Sequence, residues 1–185
     1  DIEVVPWARG YRFAQKEENA ILFLTSRTPQ RETLFKWVGP VIQNRWELIA
    51  KKNRHFNIDS QAELLDYTYG TVIDDVGEQF LLNLGIQKER LERTSAYANC
   101  IKMLRAGRVD MVVMSWETFS LFAGRENIDT SAFESLTTVA SSDLYFAFHK
   151  NAPQWIIAKF QDALDALKAE GKLDALKEKY AHLKN

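Results

Sequence analysis

The chain has 185 residues and a formal net charge of -1. That is enough for one domain or two small ones, and too balanced to attract nucleic acid or anionic lipid through a global basic field. Hydrophobic residues are 46% and charged residues 26%, ordinary for a globular chain, and no apolar run approaches the roughly 20 residues of a membrane span.

Cys100 is the only cysteine, which excludes an internal disulfide and leaves the redox compartment open. The opening residues Asp1-Ile2-Glu3-Val4-Val5 lack the pattern of a secretory leader, so an exported mature chain and a cytosolic one read alike.

In chain order, Ile2 to Val5 reads as a strand, Ala8 to Lys16 as a short helix and Ala20 to Leu24 as a strand. A helix from Pro29 to about Phe35 follows, with Thr28 as N-cap and proline at the first helical position. Trp37 to Ile42 is extended, Arg45 to Ala50 is a further strand, and Gln61 to Tyr67 is a short helix. Tyr69 to Ile73 is β-branched and aromatic, and Gly77 to Leu84 is a helix ended by Gly85. A helix over Ile101 to Arg105 stops at Gly107, Val109 to Met114 is a buried strand, and Thr118 to Phe122 is helical before Gly124. Leu144 to Phe148 is a strand, and Pro153 to Ala169 a helix with Ile156, Phe160, Ala163, Leu164 and Leu167 on one stripe. Gly171 breaks it before a second amphipathic helix carrying Leu173, Leu176 and Tyr180. Alternating strands and helices predict an α/β fold with largely parallel sheets, whose ligands sit beyond the carboxyl ends of the strands. The loops from Thr25 to Arg31, at Asp74-Asp75 and at Ser115-Trp116-Glu117 fall at such strand ends.

Arg31 would stand in the first turn after Pro29, where a helix dipole favours an anion over a cation, so the arginine needs another reason to be there. It pairs with Glu32 or Glu3 on the surface, or it offers a guanidinium fork to a planar carboxylate. Asp75 with Glu78 three residues later has the form of a capping box. His55, His149 and His182 are isolated and share no metal-ligand spacing with Cys100. No phosphate-binding glycine loop with a lysine is present, and no nucleophile elbow. Cys100 reads as a half-buried structural residue, and Lys168 to Lys179 as a solvated helix face.

The ordered series "PWARGY", "ENAILF", "RTPQRETLFKWVGP", "IDDVGEQFL", "GRVD" and "KFQDALDALKAEGKLDALKEKY" resembles the type II periplasmic solute-binding proteins, typified by the amino-acid-binding components of ABC importers. The likeness runs the length of the chain. It implies a two-lobed α/β fold with a small ligand in the interlobe cleft: residues 1–43 plus 147–185 form a discontinuous first lobe, and residues 44–146 the second. Trp37 to Gln43 and Tyr145 to His149 would be the hinge strands. Members of the family begin with a further strand and helix, so the first lobe is expected to be incomplete at its N-terminus, its neighbouring strands unpaired or paired by strand swapping in a homodimer.

The resemblance implies that Arg31 grips the ligand carboxylate with help from Ser26 and Thr28, while Phe23 and Leu24 line the site through their backbones and bury their side chains. Trp7 supplies a cleft aromatic or packs under a loop, and Trp116 has the same two readings. Asp74 and Asp75, if they face the cleft, favour a cationic or hydroxyl-rich ligand; otherwise they cap a helix. Ser115 stands where amino-acid binders carry an aspartate for the ligand ammonium, which argues against an ordinary α-amino acid, with Glu117 as the compensating candidate.

The expected function is extracytoplasmic capture of a small polar, carboxylate-bearing solute for the membrane permease of an ABC importer, without catalysis or cofactor. The alternatives are a sensory module of the same fold, or a dehydratase-like enzyme using Glu117 or Asp75 as acid or base.

Overall fold

The computed structural model describes residues 1–180; His182 and the other residues from 181 on, including the end of the expected first lobe, lie outside that range. The chain divides into two compact units: Asp1–Ala8 with Arg45–Ser141, and Arg9–Asn44 with Ser142–Asn185. We call them unit 1 and unit 2.

Unit 1 is built on β3 (Tyr69–Val72), β4 (Leu91–Thr94), β5 (Met111–Met114) and the second half of β2 (Phe35–Lys51). β3 pairs parallel with β4 and β5, whereas β2 runs antiparallel to β5, with Glu47 opposite Met114 and Ala50 opposite Met111. The sheet is therefore mixed rather than largely parallel. All four residues of β3 and of β5 are buried, which explains their unbroken apolar or small-residue runs: helices cover both faces. Those helices are α2 (Val76–Asn83), α3 (Tyr97–Ala106) and α4 (Trp116–Arg125). Their ends follow the local chemistry. Gly85 (φ 90°) follows α2 and Gly107 (φ 70°) follows α3, both in a conformation that side chains disfavour. After α3 the N–H of Arg108 closes back on the Met103 carbonyl at 3.0 Å. The Gly-Arg-Val-Asp turn is tied by Asp110, whose carboxylate accepts from the Thr68 N–H (3.0 Å), the Thr68 hydroxyl (2.8 Å) and Arg54 (2.9 Å).

Cys100 is fully buried in this core beside Ile101, Leu104 and Phe119, rather than half-buried. Burial pushes its thiol up to about 11 from an ordinary 9.0, despite a contact of 3.4 Å with the Thr94 hydroxyl. A raised folded pKa contributes stability that is complete below pH 9 and lost as pH rises toward 11. The melting temperature of the native chain is expected to fall across that window, and Cys100→Ala to flatten the fall. Burial raises Tyr69 as well, so a residual slope above pH 10 persists in the variant.

Unit 2 contains most of α1 (Trp7–Lys16), β1 (Ile21–Ser26), the first half of β2, the end of β6 (Phe133–His149), α5 (Gln154–Ala169) and α6 (Lys172–Lys179). β1 pairs antiparallel with β6, Ile21 opposite Phe148 and Ser26 opposite Leu144, with a register shift between Leu22 and Thr25. Val38, Phe148, Ala152, Ile157 and Leu164 form one buried cluster under α5, and Ala14, Phe35 and Ala147 another under α1.

Several expectations are corrected here. Ile2 to Val5 forms no strand: Ile2 is 81% and Val4 85% exposed, so the alternating pattern meets no sheet edge on which to bury its apolar face. The helix from Pro29 to Phe35 is absent. The segment is instead a run of turns, Thr28 carbonyl to Arg31 N–H (2.9 Å) and Arg31 carbonyl to Leu34 N–H (3.0 Å), because Phe35 is already drawn into β2 and buried. Six residues are too few to offset the cost of helix nucleation against that pull. The runs Trp37 to Ile42 and Arg45 to Ala50 are one strand, and Gly124 lies inside α4 rather than after it. Asp75 caps α2, but Glu78 does not return to complete a box; it pairs with Arg93 at 3.0 Å. Phe23 and Leu24 are 50% and 38% exposed, not core, because β1 is an outer strand of its sheet.

Candidate functional site

In unit 2 the loop that leaves β1 brings Ser26, Thr28 and Arg31 together. Arg31 is only 6% exposed. Its Nη1 donates to the Ser26 carbonyl at 3.2 Å, and its guanidinium lies 5.0 Å from the centre of the Tyr11 ring. A long cationic side chain is rarely buried this far unless its guanidinium is paired. The turn from Thr28 to Arg31 sets its direction, and no helix dipole acts on it, since no helix forms there. The Ser26 hydroxyl is buried and accepts from Ser142 at 3.1 Å, and the Thr28 side chain is half-buried. Phe23 reaches across to Phe146, ring centres 5.7 Å apart.

The expected surface pairing of Arg31 with Glu32 does not occur. Glu32 is taken by Arg27, a residue the sequence reading passed over. Nε and Nη2 of Arg27 bind the two carboxylate oxygens at 2.7 and 2.5 Å. The hydrogen bonds from Arg27 hold Glu32 below its ordinary pKa of 4.5. The Arg27 guanidinium also lies 5.9 Å from the Trp37 ring centre and 5.6 Å from that of Tyr145.

Unit 1 holds the other candidates. The Trp7 indole N–H donates to the Asp74 carbonyl at 3.0 Å, and the ring packs on the unit 1 core, so the tryptophan is both anchored and half-buried. Asp74 sits at φ 63° in the tight turn before α2. Asp75 is 7% exposed; one oxygen caps the Val76 N–H (2.8 Å) and the other accepts from the Tyr97 hydroxyl (3.0 Å). Removing that carboxylate leaves two donors unmatched, so Asp75→Ala is expected to cost about 1–2 kcal/mol in urea unfolding, with Tyr97→Phe costing less. Ser115 is buried as the N-cap of α4, its hydroxyl accepting from the Thr118 N–H (3.2 Å) and donating to the Thr118 hydroxyl (2.9 Å). Trp116 stacks on Phe119 at 5.3 Å, and its N–H is held by Glu47 at 3.1 Å. Glu117 follows half-buried in the first turn.

Tyr11, Arg27, Glu47, Tyr97 and Tyr145 join these clusters without having been singled out. Only Tyr11 carried a usable signal, four residues after Trp7 on one helix face. Among the described residues no cluster of three or more His, Cys, Asp or Glu could hold a metal ion, and no helix is long and apolar enough to cross a membrane.

No family model matches the sequence, and neither does any curated protein. Solved structures do match. An amino acid ABC transporter substrate-binding protein, AbpA, from Streptococcus pneumoniae bound to L-arginine shares 18% identity over 100% of this chain and 77% of its own, with a TM-score of 0.84. A mutant of ArgBP from T. maritima shares 18% over 98% and 77%, also at 0.84. A histidine kinase sensor domain with similarity to periplasmic binding proteins shares 15% over 95% and 75%, at 0.83. At such identities the likeness is one of fold, and the fold is that of the type II periplasmic binding proteins.

Proposed function

We propose that this chain captures a small polar solute bearing a carboxylate, amino-acid-like in size, and presents it outside the cytoplasm to the permease of an ABC importer. The reading rests on one observation above the others: a nearly buried arginine held at the end of β1 by a backbone carbonyl and an aromatic ring. A guanidinium oriented in this way is suited to bidentate, charge-assisted hydrogen bonding to a planar carboxylate. Ser26 and Thr28 are the proposed helpers, Phe23 and Leu24 contribute backbone groups, and Trp7 and Trp116 supply aromatic surface.

Among the unit 1 residues the proposal differs from a plain α-amino-acid binder. The Ser115 hydroxyl is committed to Thr118, and Asp75 to Val76 and Tyr97. Glu117 and Asp75 remain the acidic groups proposed for any positive part of the solute.

Amino acids, polyamines and small organic acids screened by thermal shift test the reading. A solute at 100 times its dissociation constant adds roughly 2.7 kcal/mol, a rise of several degrees. A hit lost in Arg31→Ala supports the reading; silence across the set, or turnover of a hit, overturns it. A sensory role is the second reading, favoured by the likeness to a histidine kinase sensor domain. Co-purification of the chain with a kinase rather than a permease would select it.

A further inference from the structure

A separate feature of unit 2 is an open pocket of about 520 Å³ lined by Arg27, Thr28, Pro29, Glu32, Asp143 and Tyr145. Its volume is within the roughly 300–1,000 Å³ of small-molecule sites. Arg31 is not part of its wall.

The pocket carries unmatched groups of both signs. Glu32 occupies one edge of the Arg27 guanidinium, and Trp37 and Tyr145 lie against it, so the side chain is fixed in place. Nη1 donates to nothing among the described residues. The Asp143 carboxylate and the hydroxyls of Thr28 and Tyr145 also have no hydrogen-bond partner there. Since Glu32 neutralises Arg27, Asp143 leaves the pocket net negative, while Nη1 still offers donors to an anion. A purely anionic ligand meets Glu32 and Asp143; a purely cationic one leaves Nη1 unused. A zwitterion matches both.

We infer that this pocket is a second solute site, on the same loop as Arg31 but not using its guanidinium, and that it takes a small zwitterion whose carboxylate binds Arg27 Nη1 and whose ammonium binds Asp143. The clamp on Arg27 lowers the cost of binding, because the guanidinium is already ordered before the ligand arrives.

The test is ¹⁵N NMR of the full chain with three probes of matched size: L-norvaline, pentanoate lacking the ammonium, and butylamine lacking the carboxylate. L-Norvaline is expected to shift the Arg27 Nε–H resonance in a saturable way. Its affinity, followed in the variants at the backbone amides of residues 27–32, is expected to fall roughly tenfold or more in Arg27→Gln and in Asp143→Asn, and pentanoate and butylamine to bind the native chain weaker by a similar factor. Equal binding of butylamine would make the pocket a simple cation site and overturn the proposal. Indifference to Asp143→Asn, or no shift of the Nε–H signal up to roughly 50 mM, would overturn it too. Capture at Arg31 fails or survives separately, because Arg31→Ala removes that site and leaves the Arg27 signal responsive to L-norvaline.

Discussion

Arg31→Ala is expected to weaken binding of the proposed carboxylate solute by about 2–5 kcal/mol, some 30-fold at the least. The magnitude follows from burial. At 6% exposure the guanidinium has little water around it, so a carboxylate that binds there loses its own hydration and must recover it from the fork. With the fork removed, the carboxylate is left in a desolvated place with its charge unpaired, a costly outcome for a buried ion. Arg31→Lys keeps the charge and loses the paired geometry, so it should recover only part of the affinity. The native loop also loses the 3.2 Å bond to the Ser26 carbonyl and the face packed on Tyr11. A fall in stability of the unliganded variant is therefore expected, and titration calorimetry on the folded fraction separates it from the loss of binding. Undiminished binding in Arg31→Ala would remove the carboxylate grip from this loop.

The largest effect on stability is expected at Phe119. Its side chain is fully buried, stacked on Trp116 at 5.3 Å and edge-on to Phe133 at 5.1 Å. Truncation to alanine removes the ring and leaves a cavity that α4 and the sheet can close only in part, at about 3–5 kcal/mol. For a chain of this length the melting temperature should drop by on the order of 10 °C. Ser120→Ala, one residue on, is the contrast: its hydroxyl is buried with no hydrogen-bond partner, so its loss should be nearly neutral. Since Trp116 rests on Phe119, the start of α4 with Ser115 and Glu117 should loosen in the first variant and not in the second. Comparable melting of the two variants would contradict this account of the core.

The elements legible in the sequence were those whose burial leaves a simple pattern. Met111–Met114 and Tyr69–Val72 are covered on both faces and read as unbroken runs. The helix α5 was legible as a helix, but of its expected stripe only Leu164 is buried, with Ile157 as the other buried residue, while Phe160 and Leu167 stay exposed. The stops at Gly85 and Gly107 are local chemistry and were equally plain. What failed depends on partners distant in the chain. β2 looks like two strands because Gln43 and Asn44 interrupt it, and the first half of β6 looks like a loop because Thr137, Thr138, Ser141 and Ser142 carry little apolar signal. Pro29 and Thr28 carry a good helix start, but the pull of Phe35 into the sheet outweighs it.

The candidate site divides in the same way. Caps at Asp75 and Ser115 are short-range and readable, the second in retrospect from Thr118 three residues on. The Arg27–Glu32 pair spans five residues across a turn, and Tyr97 meets Asp75 from 22 residues away. No spacing rule anticipates either.

The sealed position of Cys100 has a practical consequence for spectroscopy. A thiol that is fully buried and reluctant to ionise does not compete for maleimide reagents at neutral pH. A cysteine introduced at an exposed position such as Lys150 would therefore take a single fluorophore or spin label per molecule without any prior removal of the native sulfur. The same native sulfur then serves as an internal stopwatch: once the surface label is in place, slow uptake of a second reagent counts how often the core of unit 1 comes open.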